Sequence, residues 1–220
     1  MMDNETAPQH DDLQKKQELE KHEVTEVVGF LKRYGKLIGT GVLAATLTVL
    51  ASKGLASHKA SRLVKAEQAL MSAKTPQQLE EVVTQYGSTP SAPVALLDMA
   101  KTLFNIGDYA QARAQYERFL KKYSTNAMRP TAELGLIYCT EADGDFNGAA
   151  AQFADFAKKH SSSYLHPTAI LSVARCMEQA GRKDDARVVL EDFLTQNAGT
   201  AWAGTAETAL KQLNETAQQK

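Results

Sequence analysis

Small and aromatic residues recur in the second half of this chain at a fixed interval of 37 positions. With Pro93, Pro130 and Pro167 aligned, Gly107, Gly144 and Gly181 fall in one column and Ala112, Ala149 and Ala186 in another. Tyr116, Phe153 and Leu190 form a third column, and Phe119, Phe156 and Phe193 a fourth. Within each block the apolar positions keep the three-and-four spacing of amphipathic helices, with the glycine at the turn between two of them. Such a unit buries its apolar stripe only against its neighbours. The pattern therefore predicts an all-α helical-repeat solenoid, with three repeats over 91–200. Leu79, Val82 and Tyr86 stand one interval before Tyr116, Phe119 and Tyr123, so 54–90 reads as a connecting helix followed by a degenerate capping repeat. Residues 201–220 read as a C-terminal capping helix.

The pattern changes upstream. Val24, Val27, Val28, Leu31 and Tyr34 fall at helical spacing among Lys32, Arg33 and Lys36, which predicts a juxtamembrane amphipathic helix over 24–36. Leu37–Ser52 is the long uncharged stretch that is predominantly apolar and free of proline. As a helix it spans about 24 Å, against a hydrocarbon core of about 30 Å. Lys36 and Lys53 can extend their stems to the two interfaces, and Tyr34 can sit at headgroup depth. A cleaved secretory signal ending near Val49-Leu50-Ala51 and a buried helix of a soluble protein remain open beside a transmembrane helix over 37–53. Gly35 and Gly39, and Gly41 and Ala45, are spaced so that a second membrane helix could approach. Lys21, Lys32, Arg33 and Lys36 precede the apolar stretch and Lys53, Lys59, Arg62 and Lys65 follow it, so charge alone sets no orientation. Residues 1–23, acidic and poor in apolar side chains, are expected to be a disordered tail.

Composition narrows the function. The chain has 220 residues, 43% hydrophobic, and a formal net charge of -1. From Gly54 onward its 18 basic and 18 acidic residues balance, which leaves no Lys/Arg stripe to neutralise phosphates and argues against a nucleic-acid partner. Cys139 and Cys176 lie one interval apart in equivalent helices. Neighbouring helix axes pack about 8–10 Å apart, too far for a disulfide, so both read as buried thiols. The five histidines show no metal-ligand spacing, and phosphate-loop, dinucleotide and nucleophile-elbow signatures are absent from the sequence. Asp143 and Asp145 flank a turn glycine and read as helix caps rather than an acid and base. The expectation is a binding protein, with no enzymatic activity, no cofactor, no metal and no small-molecule substrate.

Ala100, Leu103, Gly107, Tyr109, Ala112, Tyr116 and Phe119 resemble the tetratricopeptide repeat, whose usual period is about 34 residues. The extra length here falls at the junctions Ser124-Thr125-Asn126 and Ser161-Ser162-Ser163. A polar tail, FLKRYGKLIGTG running into one apolar span, a long helix and a compact repeat domain together resemble the YfgM family of ancillary Sec translocon subunits. That resemblance implies a bacterial inner-membrane protein with a cytoplasmic N-terminus, periplasmic repeats, SecYEG and PpiD as partners, and client polypeptides. Phe119-Leu120-Lys121-Lys122-Tyr123 is also similar to the repeat ends of BamD-type envelope assembly proteins, but those carry a lipidated cysteine that this chain lacks.

If the blocks stack, the first helix of each lines one face. The positions expected there are Val94, Leu97, Lys101, Phe104 and Asn105, then Thr131, Leu134, Tyr138, Glu141 and Ala142, then Thr168, Leu171, Arg175, Glu178 and Gln179. Aromatic, aliphatic and oppositely charged side chains in one surface suit the capture of a peptide or helix.

Overall fold

The computed structural model describes residues 8–218, and among them the regular structure is all helical. The elements are α1 (Pro8–Ser72), α2 (Pro76–Gln85), α3 (Ser91–Asn105), α4 (Tyr109–Lys122), α5 (Arg129–Ala142), α6 (Phe146–Lys159), α7 (His166–Gln179), α8 (Lys183–Gln196) and α9 (Ala201–Gln218). The chain divides into two compact units, one through Ser61 and one from Arg62.

In the first unit, a single helix replaces the expected succession of tail, amphipathic helix and apolar span. Of the tail expected to be disordered, residues 1–7 lie outside the described residues, and the helix begins at Pro8. Composition explains the correction. Leu13 to Glu23 is built from Leu, Gln, Lys and Glu, with one His, and most of these are strong helix formers, while proline suits a helix's first turn. A segment too polar to build a core keeps its helix propensity. Further along, Leu37, Val42, Leu43, Leu47, Val49 and Leu50 are all exposed. The stretch Gly39–Ser72 is long and apolar enough to cross a membrane, by length and composition. Thr40, Thr46, Thr48 and Ser52 each donate their hydroxyl to a carbonyl three or four residues back. Those hydroxyls therefore need no water, as a hydrocarbon environment demands.

In the second unit, α2 to α9 pack in chain order, each on the next. Local chemistry sets each turn. Thr75 caps α2 in a reciprocal capping box with Gln78, and Pro76 occupies the first turn. Gly107, Gly144 and Gly181 adopt φ of 84°, 88° and 79°, a left-handed conformation that glycine reaches without strain. At Gly107 the amides of Gly107 and Asp108 bond back to Phe104 and Leu103, closing a Schellman motif, and Gly181 and Arg182 repeat it on Glu178 and Met177. Asp108 and Asp145 then accept the amides of Gln111 and Gly148 and start α4 and α6. Arg182 stands at the equivalent position before α8 and makes no such cap. Asp143, read from sequence as a cap beside Asp145, pairs instead with Arg113 at 2.6 Å, tying α4 to the end of α5.

The core comes in three clusters, each shared between successive repeats. Ala112, Ala149 and Ala186 are buried, as are Phe119, Phe156 and Phe193. Cys139 and Cys176 are free, buried thiols in successive clusters. Burial, with Glu141 adding to it, pushes the Cys176 thiol up to about 12. Ala69, Leu70 and Ala73, at and after the end of α1, pack on the first cluster, and Arg62 donates to the Gln85 carbonyl at 2.7 Å. That end of α1 thus docks on the degenerate repeat. Arg118 grips Glu80 one repeat earlier with two bonds of 2.6 and 3.0 Å.

One close approach has no counterpart in the alignment columns. A Cβ on Gly135 would lie 2.4 Å from the Tyr116 ring, so the absence of a side chain in α5 is what admits that ring from α4. Alanine at this position gains about 1 kcal/mol of helix propensity but overpacks the interface at about 1–3 kcal/mol. Gly135→Ala is expected to lower the chemical-denaturation midpoint of a fragment beginning at Leu55, and to become neutral or stabilising when Tyr116 is also replaced by leucine. Ala149→Leu, fully buried without such a partner, is expected to cost about 1–3 kcal/mol in the same assay.

Glu133 supplies a pH signature. It accepts from Arg129 at 2.9 Å and Lys159 at 3.0 Å, and meets His160 Nε2 at 2.9 Å. Burial alone would raise its carboxyl, but the bonds from His160, Lys159 and Arg129 outweigh burial and hold it below its ordinary 4.5. A carboxylate depressed in the folded state contributes stability above its unfolded pKa and loses it as the pH falls through the folded one. Glu133→Gln is therefore expected to be less stable than wild type at pH 7, with the gap in urea midpoint closing below pH 4.5. A gap that does not change with pH would contradict this role.

Candidate functional site

Because the repeats keep one interval, residues 37 apart on α3, α5 and α7 come to lie side by side. Lys101, Tyr138 and Arg175 form one such row, and Phe104, Glu141 and Glu178 another. The two rows meet diagonally. Phe104 packs edge-on against Tyr138 at 6.5 Å between ring centres, and the Arg175 guanidinium lies 5.8 Å over the Tyr138 ring. The Tyr138 hydroxyl stands 3.4 Å from Ser172 Oγ. Arg175 holds both oxygens of Glu141, at 2.7 and 2.6 Å. The two opposite charges expected on this face are therefore committed to each other, with Glu141 only 14% exposed and Arg175 44%.

These side chains border a depression of about 440 Å³ lined by Phe104, Tyr138, Glu141, Ala142, Phe146, Arg175 and Gln179. Six of the positions expected on this face from the sequence meet here: Phe104, Tyr138, Glu141, Ala142, Arg175 and Gln179. Leu97 and Lys101 line a second depression of about 320 Å³ with Val94, Asp98, Tyr116, Met128, Thr131 and Tyr164. Leu171 and Glu178 line a third, of about 210 Å³, where Arg175 meets Ala174, Ala186, Leu190 and the α9 residues Thr205, Ala209, Gln212 and Leu213. Asn105 is exposed and borders none of these three depressions. Leu134 is corrected: at 5% exposure it belongs to the second core cluster and is not offered to a partner. The apolar stripe of α5 is broader than the column alignment assumes, and Leu134 falls inside it. Gly39 and Gly41 are exposed, and a Cβ on either, or on Gly35, would meet nothing within 4 Å. Ala45 is exposed as well.

Sequence reasoning passed over Asp98, Met128, Phe146 and Tyr164 as site residues. Tyr164 sits in a junction where the other blocks carry Pro90 and Ala127, so no column drew attention to it. Asp98 shares its column with Gly135 and Ser172, three unlike residues.

The geometry defines a class: a solenoid of two-helix repeats whose first helices present adjoining, mixed apolar and polar depressions. The chain belongs to the tetratricopeptide repeat-like domain family, whose profile matches residues 29–153. A tetratricopeptide repeat profile also matches residues 141–201. Among solved structures, the chain is similar to the nearly identical TPR-like repeats of a putative kinesin light chain from Podosopora anserina. Identity is 16% and the TM-score 0.54, covering 74% of this chain and 89% of that one. It is also similar to a tetratricopeptide repeat protein from Parabacteroides merdae, at 14% identity and a TM-score of 0.50, covering 71% of this chain and 60% of that one. These likenesses show the fold. No curated protein matches the chain.

Arg175→Gln is expected to cost about 1 kcal/mol by leaving the Glu141 carboxylate, largely shielded from water, without its fork. Adding Glu141→Gln should restore part of that loss, which a double-mutant cycle in urea measures. An additive pair would show that the two charges are not coupled.

Proposed function

We propose that this chain is a membrane-anchored scaffold or co-chaperone that holds a polypeptide against the face formed by α3, α5 and α7. The observation that carries the reading is the depression where three repeats bring Phe104, Tyr138, Glu141, Arg175 and Gln179 together. Its charges are internally paired and its walls aromatic, which favours weak, adaptable contact over tight capture of one charged group. Nothing in it resembles a nucleophile activated by a neighbouring base, so a binding role is favoured over catalysis.

Anchoring is supported by the exposed apolar surface of α1 between Leu37 and Leu50 and by the inward-turned hydroxyls of Thr40, Thr46, Thr48 and Ser52. The family profile begins at residue 29 and so takes in this segment together with the first repeats. That continuity favours a retained anchor over a cleaved signal. Gly35, Gly39, Gly41 and Ala45 are the positions at which a partner's membrane helix would come close. The particular complex is the Sec translocon, with SecYEG and PpiD as partners and emerging envelope proteins as clients, in an inner-membrane topology with the N-terminus cytoplasmic and the repeats periplasmic. The resemblance in overall organisation to the YfgM family supports that assignment.

The test places a photo-crosslinking residue at Tyr138, Gln179 or Gly39 in the full chain within bacterial membranes, with Val188 on α8 as a surface control. Expected are adducts with translocon components or nascent chains from the first three positions and none from Val188. In spheroplasts with an intact inner membrane, protease should digest the repeats. Adducts spread equally over all four positions, or repeats protected until the membrane is disrupted, would contradict the proposal.

A further inference from the structure

The depression under Tyr164 is separate from the aromatic one that carries the functional proposal, and it is built differently. Its walls are mainly apolar, with Val94 and Leu97 from α3, Tyr116 from α4 and Met128 at the entrance to α5, and Thr131 of α5 as a polar neighbour. Tyr164, on the junction before α7, stands over it with 77% of its surface exposed. Two charged groups of opposite sign reach the same space from one helix, Asp98 and Lys101. They lie farther apart than an ion pair, and neither side chain is engaged by a hydrogen bond, unlike Glu141 and Arg175 in the next two repeats. The Asp98 carboxyl is held above its ordinary value by desolvation, with Lys101 pulling the other way.

A ligand in this space meets an acceptor and a donor about one helical turn apart, no net charge, and an apolar cavity with an aromatic cover. A cationic side chain would face Lys101 and an anionic one Asp98. A main-chain amide satisfies both, its N–H toward Asp98 and its carbonyl toward Lys101, while an aliphatic side chain enters the space between Leu97, Met128 and Tyr116. We infer that this pocket recognises an uncharged, extended stretch of polypeptide through one bulky aliphatic side chain and its flanking backbone amides, with Tyr164 closing over it. The inference rests on the scaffold reading and names the kind of sequence the scaffold selects.

The test uses the full chain in detergent micelles with its methionine methyls labelled by carbon-13, the Met128 signal being assigned through Met128→Leu. Four acetylated, amidated heptapeptides of serine and glycine, with Leu, Ala, Lys or Glu at the centre, are titrated in. The Leu peptide should shift the Met128 signal saturably, and the Ala, Lys and Glu peptides should bind at least tenfold more weakly. Tyr164→Ala, at an exposed junction, should weaken the Leu peptide about fivefold. Asp98→Asn should leave the order of the four peptides unchanged, whereas Asp98→Leu, which removes the acceptor, should weaken all of them. An unmoved Met128 signal, or a Lys or Glu peptide binding as well as the Leu peptide, would overturn the inference. Failure here with crosslinks retained at Tyr138 sinks only this pocket. Loss of those crosslinks with the Met128 response intact sinks the scaffold reading and leaves the pocket standing.

Discussion

No helix pair in the repeat domain can bury its apolar stripe by itself, and everything else follows from that constraint. The three core clusters are each assembled across a repeat boundary, so each block is completed by the next. Close approach is what makes the assembly pack. Buried alanines at Ala112, Ala149 and Ala186 bring helices together, while Phe119, Phe156 and Phe193 fill the space beyond them. The left-handed glycines Gly107, Gly144 and Gly181 let the chain reverse inside each block without strain. A constant interval in turn sets Tyr138 beside Arg175 and Phe104, which is how regular packing becomes a surface with chemistry.

The regular features were legible because each recurs. Three glycines, three alanines and two aromatic or aliphatic columns at one interval are hard to mistake, and the helix bounds of α4, α6 and α8 keep that interval at both ends. What occurs once was not legible. Gly135 looks like an ordinary helix glycine until the Tyr116 ring is seen against it. The Arg118–Glu80 pair joins residues one position off the repeat interval, so alignment columns could not pair them. Tyr164 belongs to a junction, where the blocks differ most. The first part of α1 was misread for another reason: low apolar content forecasts the lack of a core, but not the lack of a helix.

The same distinction separates the fold from the site. Glu141 and Arg175 were both picked out from the sequence as lining the face of the first helices, yet only geometry shows that each satisfies the other. Asp98 and Lys101, both on α3, are likewise of opposite charge and remain unengaged. One depression, shared by three repeats, thus offers a closed, neutral, aromatic surface, and the other offers an open donor and acceptor. A scaffold that samples many polypeptides gains from such variety, since no single strong contact dominates and partners can exchange.

Hydrogen exchange followed by mass spectrometry, on the full chain reconstituted in lipid nanodiscs, tests the central claim most directly. The account predicts that amides of residues 37–52 are strongly protected only when lipid is present. It also predicts that α3 to α8 are protected alike with or without lipid, with protection declining toward α9. Rapid exchange across 37–52 in lipid, or repeats whose protection collapses when the lipid is removed, would contradict a self-supporting stack held to a membrane by one helix.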